Sequence, residues 1–260
     1  MNYIKNAFLV IVLIAFFNCN AGSFDDFFEA IRSNHPEVLQ GLTTRGFDLN
    51  TVNARGQGAL YLALRQPSPA VVKWLLSRPE VQVDGHSADD ETPLMMAALK
   101  GDLESCKALI DRGADVNKPG WAPLHYAASG GHVAVIALLL DENAYIDAAS
   151  PNGTTPLMMA ARYGSDAAVQ ALLTAGADVS LRNQLGLSAQ DFALQGERAT
   201  AAELVAKALH PEAASATPKP VVAHTAPAPA PIQPASVSAP KAVAQSKLTA
   251  PSEPVKSRGW

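Results

Sequence analysis

The side chains in this chain that could do chemistry are few and dispersed. Six histidines stand at positions 35, 86, 125, 132, 210 and 224, scattered and without the spacing of metal ligands. Asp89-Asp90-Glu91 offers three carboxylates in a row, and it reads as a solvated turn rather than a calcium site. Gly56-Gln57-Gly58 is a fragment of a dinucleotide fingerprint, but it precedes a helix start instead of following a buried strand. Asn152-Gly153-Thr154 has the spacing of a glycosylation acceptor, and Asn-Gly is equally ordinary turn chemistry. No His-Glu-x-x-His, Gly-x-Ser-x-Gly or phosphate-loop pattern occurs. No catalysis, cofactor or metal is expected.

Composition divides the 260 residues into three parts. Residues 1 to 21 have the pattern of a secretory signal: Lys5, an apolar run from Ala7 to Phe17, and Cys19-Asn20-Ala21 before Gly22. The run is too short to span a bilayer, which needs roughly 20 apolar residues. Export is therefore expected, to a periplasm or beyond, with no stable membrane span once the signal is removed. Residues 211 to 260 contain ten prolines and twelve alanines, too little apolar surface to offset the entropy of ordering them. A disordered tail is expected there. The whole chain carries −4; the signal contributes +1 and the tail +3, which leaves −8 on residues 22 to 210. An acidic body of this kind is a poor match for nucleic acid. Removal of the signal takes Cys19 with it and leaves Cys106 as a single thiol, read as a buried small hydrophobe.

The elements that must position these residues announce themselves as a repeated phrase. Thr92-Pro93-Leu94-Met95-Met96-Ala97-Ala98 recurs as Ala122-Pro123-Leu124-His125-Tyr126-Ala127-Ala128 and as Thr155-Pro156-Leu157-Met158-Met159-Ala160-Ala161, with prolines 30 and 33 residues apart. Each phrase reads as a helix start, with Thr92 and Thr155 as hydroxyl caps and proline in the first turn. A turn at Gly101, Gly131 or Gly164 follows, then a second helix with an apolar stripe. That stripe is Leu103, Cys106, Leu109 and Ile110 in one copy and Val133, Ile136, Leu139 and Leu140 in the next. Gly113, Gly176 and Asn143 are placed to end it in a left-handed conformation.

This pattern resembles the ankyrin repeat, whose unit of about 33 residues carries a Thr-Pro-Leu-His-x-Ala core. The resemblance covers roughly residues 24 to 210, with degenerate copies heading at Gly58 and Ser188 and a half unit from Phe24 to Asn50. It implies an all-α solenoid of about six units, helix-turn-helix pairs joined by short β-hairpin fingers, the outer two serving as caps. Three departures stand out. The motif histidine survives only as His125, the link Asn117-Lys118-Pro119-Gly120-Trp121 is three residues short, and Pro67-Ser68-Pro69 replaces the usual Gly-His turn. By the resemblance, a partner protein binds the concave face. Gln57, Glu91, Trp121 and Thr154 are expected there just before the phrase, and Arg65, Lys100, Ser129, Arg162 and Tyr163 just after it. Trp121 is the leading anchor, with local packing over the short link as its other reading. Arg65, Lys100 and Arg162 read either as plain solvated charge or as a local basic stripe along that face, and the protein is expected to be a monomer.

Overall fold

The computed structural model describes residues 22 to 210; the signal and tail expectations lie outside the described residues. Within that span, twelve helices form six antiparallel pairs. The first, α1, covers residues 22–32, followed by α2 (Pro36–Thr44), α3 (Ala59–Arg65), α4 (Pro69–Leu76), α5 (Pro93–Lys100) and α6 (Leu103–Asp111). The second half comprises α7 (Pro123–Gly130), α8 (Val133–Asp141), α9 (Pro156–Tyr163), α10 (Asp166–Thr174), α11 (Ala189–Gln195) and α12 (Ala199–Leu209). Among these, α3, α5, α7, α9 and α11 pack side by side as one layer, and α2, α4, α6, α8, α10 and α12 as a second. The first unit is a whole helix pair, not the half unit read from Phe24 to Asn50. Its α1 face is built from Phe27, Phe28 and Ile31, a sequence with no Thr-Pro-Leu phrase to betray it.

The helix starts follow from the phrase. Thr92 Oγ1 accepts the Met95 N–H and Thr155 Oγ1 the Met158 N–H, each closing an N-terminal turn. Behind the caps, Ala97, Ala98, Ala127, Ala128, Ala160 and Ala161 are all buried, so neighbouring helices approach closely. Gly164 shows how closely: a Cβ there would stand 2.3 Å from the Ala128 carbonyl oxygen. In the second layer Cys106, Leu109, Ile136 and Leu139 are buried as expected. Val133, at the first position of α8, is exposed instead, and Val135 takes its place in the core. Asn143 ends α8 with φ +63°, the left-handed turn that its short amide tolerates.

Two ladders tie one repeat to the next. At the inter-helix turns, the residue capping the second helix reaches the preceding repeat's carbonyl. Ser68 Oγ donates to Ile31, His132 Nε2 to Leu99, Ser165 Oγ to Gly131 and Arg198 to Gly164. Asp102 is the exception, since its carboxylate accepts from Ser105 instead. At the repeat ends, Asn50, Asp84, Asn117 and Asp147 each accept one N–H of the following unit, from Gln82, Asp115, Tyr145 and Asp178.

The fingers are turns rather than the expected β-hairpins. Two isolated antiparallel bridges, Val52 with Gly58 and Arg182 with Ser188, are their only β pairing among the described residues. Four fingers close alike: the N–H groups of Asn53, Ser87, Ser150 and Asn183 donate to the carbonyls of Gln57, Glu91, Thr154 and Leu187. The short link before Trp121 has no room for this loop. In its place the buried Lys118 ammonium donates to Asp90 on the neighbouring finger and to the Pro119 carbonyl.

Candidate protein-binding face

Because each unit repeats the same register, residues of the odd-numbered helices line up in rows across the layer. Arg65, Leu99, Ser129, Arg162 and Gln195 form one row, confirmed at one end by the 2.8 Å bond from Arg162 Nη1 to Gln195 Oε1. Leu62, Met96, Tyr126, Met159 and Phe192 form the next. Where the rows pass the short link, Leu99, Trp121, His125, Tyr126, Ser129 and Met159 enclose a hollow of about 220 Å³.

The short link explains this hollow. Trp121 cannot join a closed finger, so its indole lies half-buried, edge-on to the His125 ring with centroids 5.2 Å apart. His125 is wholly buried beneath it. Its Nδ1 accepts the Ala122 N–H at 3.1 Å, which fixes Nε2 as the donor to the Thr154 carbonyl at 2.9 Å. Burial holds its pKa below the ordinary imidazole value. Trp121 thus packs edge-on against His125 and forms one wall of the hollow.

Beside the hollow, the Glu91 carboxylate accepts from both the Tyr61 and Tyr126 hydroxyls, on different oxygens. Burial, helped by this carboxylate, raises both phenol pKa values. Glu91 is thus half-buried and spent on its own repeats rather than presented to solvent. Two other candidates fall inside the protein. Gln57 is 4 % exposed and Thr154 2 % exposed, because finger closure turns them inward. Gln57 Oε1 accepts from Asn53, and the Thr154 N–H donates to Ser150 Oγ. Neither is available to a partner.

Tyr163 is exposed, and the Arg162 guanidinium stands 5.1 Å from its ring centroid. Ser129 lines the hollow. Lys100 lies one position beyond the row of Arg65 and Arg162 and lines a separate hollow with Gln66, Pro67 and Asp102. The three-cation stripe therefore reduces to two arginines in one row, with Leu99 and Ser129 between them. The acid run at Asp89 to Glu91 is more structured than a solvated turn. Asp90 takes φ +61° and accepts from both His86 and Lys118, which hold its carboxyl below the usual range, Lys118 foremost.

A family model described as ankyrin repeats in three copies matches residues 27–119 and 116–183. The chain belongs to the ankyrin repeat family. Curated relatives include the nuclear factor NF-kappa-B p105 subunit of Gallus gallus, 29% identical over 161 residues, 59% of this chain and 16% of that protein. The B-cell lymphoma 3 protein homolog of Mus musculus is also 29% identical over 161 residues, 59% of this chain and 36% of its own. The chain thus matches only a minor part of either relative. Among solved structures, a chain from the complex of the predatory endopeptidase Bd0816 of Bdellovibrio bacteriovorus with immunity protein Bd3460 is similar at a TM-score of 0.61 and 27% identity. That match covers 70% of this chain and 97% of the other.

Proposed function

We propose that this protein is a non-catalytic module that binds a partner protein through the concave side of its ankyrin stack, where the odd-numbered helices and fingers lie. The hollow under Trp121 carries this reading: aromatic and apolar walls, one neighbouring carboxylate already satisfied, and arginines in the flanking repeats. Export belongs to the same reading, supported by Lys5 and the apolar run that follows it. A periplasmic home is the preferred form of this reading, and the single thiol Cys106 asks for no intrachain disulfide there. The likeness to a chain of the endopeptidase–immunity complex supports a finer version, in which the partner is an exported peptidase that this protein restrains.

The test is crosslinked capture from the native exported fraction, comparing the wild type with a Trp121→Ala, Arg162→Ala double variant. The expected result is one dominant partner, lost at least tenfold by a double variant that keeps its helical content and melting temperature. If that partner hydrolyses casein and the added protein suppresses it, the peptidase version stands. A partner kept by the double variant and lost on deleting residues 211 to 260 would move the function to the tail.

A further inference from the structure

Resting on the partner-binding reading above, we propose that the hollow between Leu99, Trp121, Tyr126 and Ser129 takes one large apolar or aromatic side chain carried on an acidic segment of the partner. Size fixes the first half. A closed apolar cavity of about 150 Å³ accommodates benzene, so about 220 Å³ suits a single Phe, Leu or Trp side chain. The walls are mainly aromatic, thioether and aliphatic groups; of the polar side chains His125 and Tyr126 are committed, while the Ser129 hydroxyl and the Trp121 indole N–H make no side-chain bond among the described residues. His125 spends both ring nitrogens on backbone, and the Tyr126 hydroxyl donates to Glu91. An apolar guest therefore breaks no hydrogen bond within the protein, whereas a charged group seated there would leave most of its hydration unreplaced.

Charge fixes the second half. Residues 22 to 210 carry −8, yet the two rows that cross the hollow contain no acid and two arginines, Arg65 and Arg162. Among the described residues neither arginine forms a salt bridge, as is also true of Arg45, Arg55, Arg78 and Arg112, whereas Arg32, Arg182 and Arg198 each do. The acids nearest the hollow, Asp89 and Glu91, stand on the finger beside it, Glu91 already holding the Tyr61 and Tyr126 hydroxyls, so the surface complementary to a partner's carboxylates lies where Arg65 and Arg162 stand in the rows. Packed helices lie about 9 Å apart, so from the centre of the hollow at α7 Arg162 on α9 is one helix step away and Arg65 on α3 two steps away. Those separations are about one and two Debye lengths at physiological salt, so the arginines act on carboxylates beside them and not on the anchor itself. An extended segment rises about 3.3 Å per residue. The partner's acids therefore fall about three to five residues on either side of its anchor.

The experiment is selection of displayed random peptides on the full chain, followed by fluorescence polarisation with the best synthetic peptide. Enriched peptides are expected to share one Phe, Trp or Leu with Asp or Glu three to five residues away. Trp121→Ala should weaken the best peptide at least tenfold. Arg65→Gln with Arg162→Gln should weaken it about fivefold and remove most of its salt dependence, while Lys73→Gln with Lys107→Gln on the second layer changes nothing. If Trp121→Ala does not fold, Ser129→Trp, which fills the hollow from the other side, must produce the same loss. Basic or uncharged winners, or no enrichment, overturn the acidic occupant; if the double variant described above still loses its native partner, the partner-binding reading survives that failure. Winners unaffected at Trp121 and Ser129 overturn the site. A dimer in sedimentation that Leu99→Asp dissociates would make the occupant a second copy of this chain and overturn the proposal.

Discussion

His125 occupies the one place where the ankyrin histidine persists, and its neighbours show what is lost elsewhere. Met95 and Met158 stand at the same register, where their sulfurs accept the Thr92 and Thr155 N–H groups at 3.4 and 3.5 Å. A thioether can replace Nδ1 as an acceptor but has no proton to donate to the next repeat. His125→Met should therefore fold while leaving the buried Thr154 carbonyl one bond short, at a cost of about 1–2 kcal/mol in urea unfolding. The same residue sets a pH dependence. Its folded pKa lies below the unfolded value, so the unfolded chain binds a proton first as pH falls. Stability is then complete above about pH 6.5 and declines below it, by at most about 1.4 kcal/mol per unit, until the folded pKa is reached. Urea midpoints at pH 7.5 and 5.5 should differ in the wild type, and by clearly less in His125→Met. Cys106 gives a simpler outcome. It is fully buried, and its thiol is pushed up to about 12 by burial and then by Asp102. Ellman's reagent at pH 8 should label it only as fast as the protein unfolds; rapid labelling of the native state would contradict the packing.

At the scale of elements, the sequence revealed most where the repeat is regular. The phrase located α5, α7 and α9, their caps and their buried alanine pairs, because each feature has a local cause. Gln57 and Thr154 misled for the opposite reason: their burial depends on finger closure by Asn53 and Ser150, a tertiary event with no periodic signature. The signal was present in a weaker form, since Asn53, Ser87, Ser150 and Asn183 each stand four residues before the residue whose carbonyl they bond. The Lys118–Asp90 pair was hidden too, because it joins two fingers 28 residues apart. Asp90→Ala should cost about 1–2 kcal/mol by thermal unfolding. That is below the 3–5 kcal/mol of a fully buried pair, because water reaches the exposed Asp90 side. The odd-helix side of the seam between the second and third units is predicted to be the weak one, since on the even-helix side the Arg112 guanidinium donates to the Leu76, Pro79 and Val81 carbonyls. Asp102 forgoes the carbonyl tie made at the other turns, a hollow of about 440 Å³ opens beside Pro67, and α3 meets α5 over the thinnest contact of the odd-helix layer. Hydrogen exchange should release α3 and α4 before α7 and α9. Equal protection across the stack would contradict this.

At the scale of the whole molecule, repeats stabilise one another only through neighbours, so the two layers have separate duties. The even-numbered helices bury the apolar stripe of Cys106, Leu109, Ile136 and Leu139, and the odd-numbered helices carry the face with the hollow. Sequence alone placed Trp121 and Ser129 on that face, but the hollow arises from the deletion in the link and needed three-dimensional structure to appear. The most direct test of the binding face is site-specific photocrosslinking in the native source, with p-benzoylphenylalanine at Ser129 on α7 or at Ala137 on α8. Both positions sit in the same repeat and differ in the layer they present. A partner crosslinked from position 129 and not from position 137 is the predicted result. A partner crosslinked from position 137, with none from 129, would place binding on the opposite layer and contradict the account.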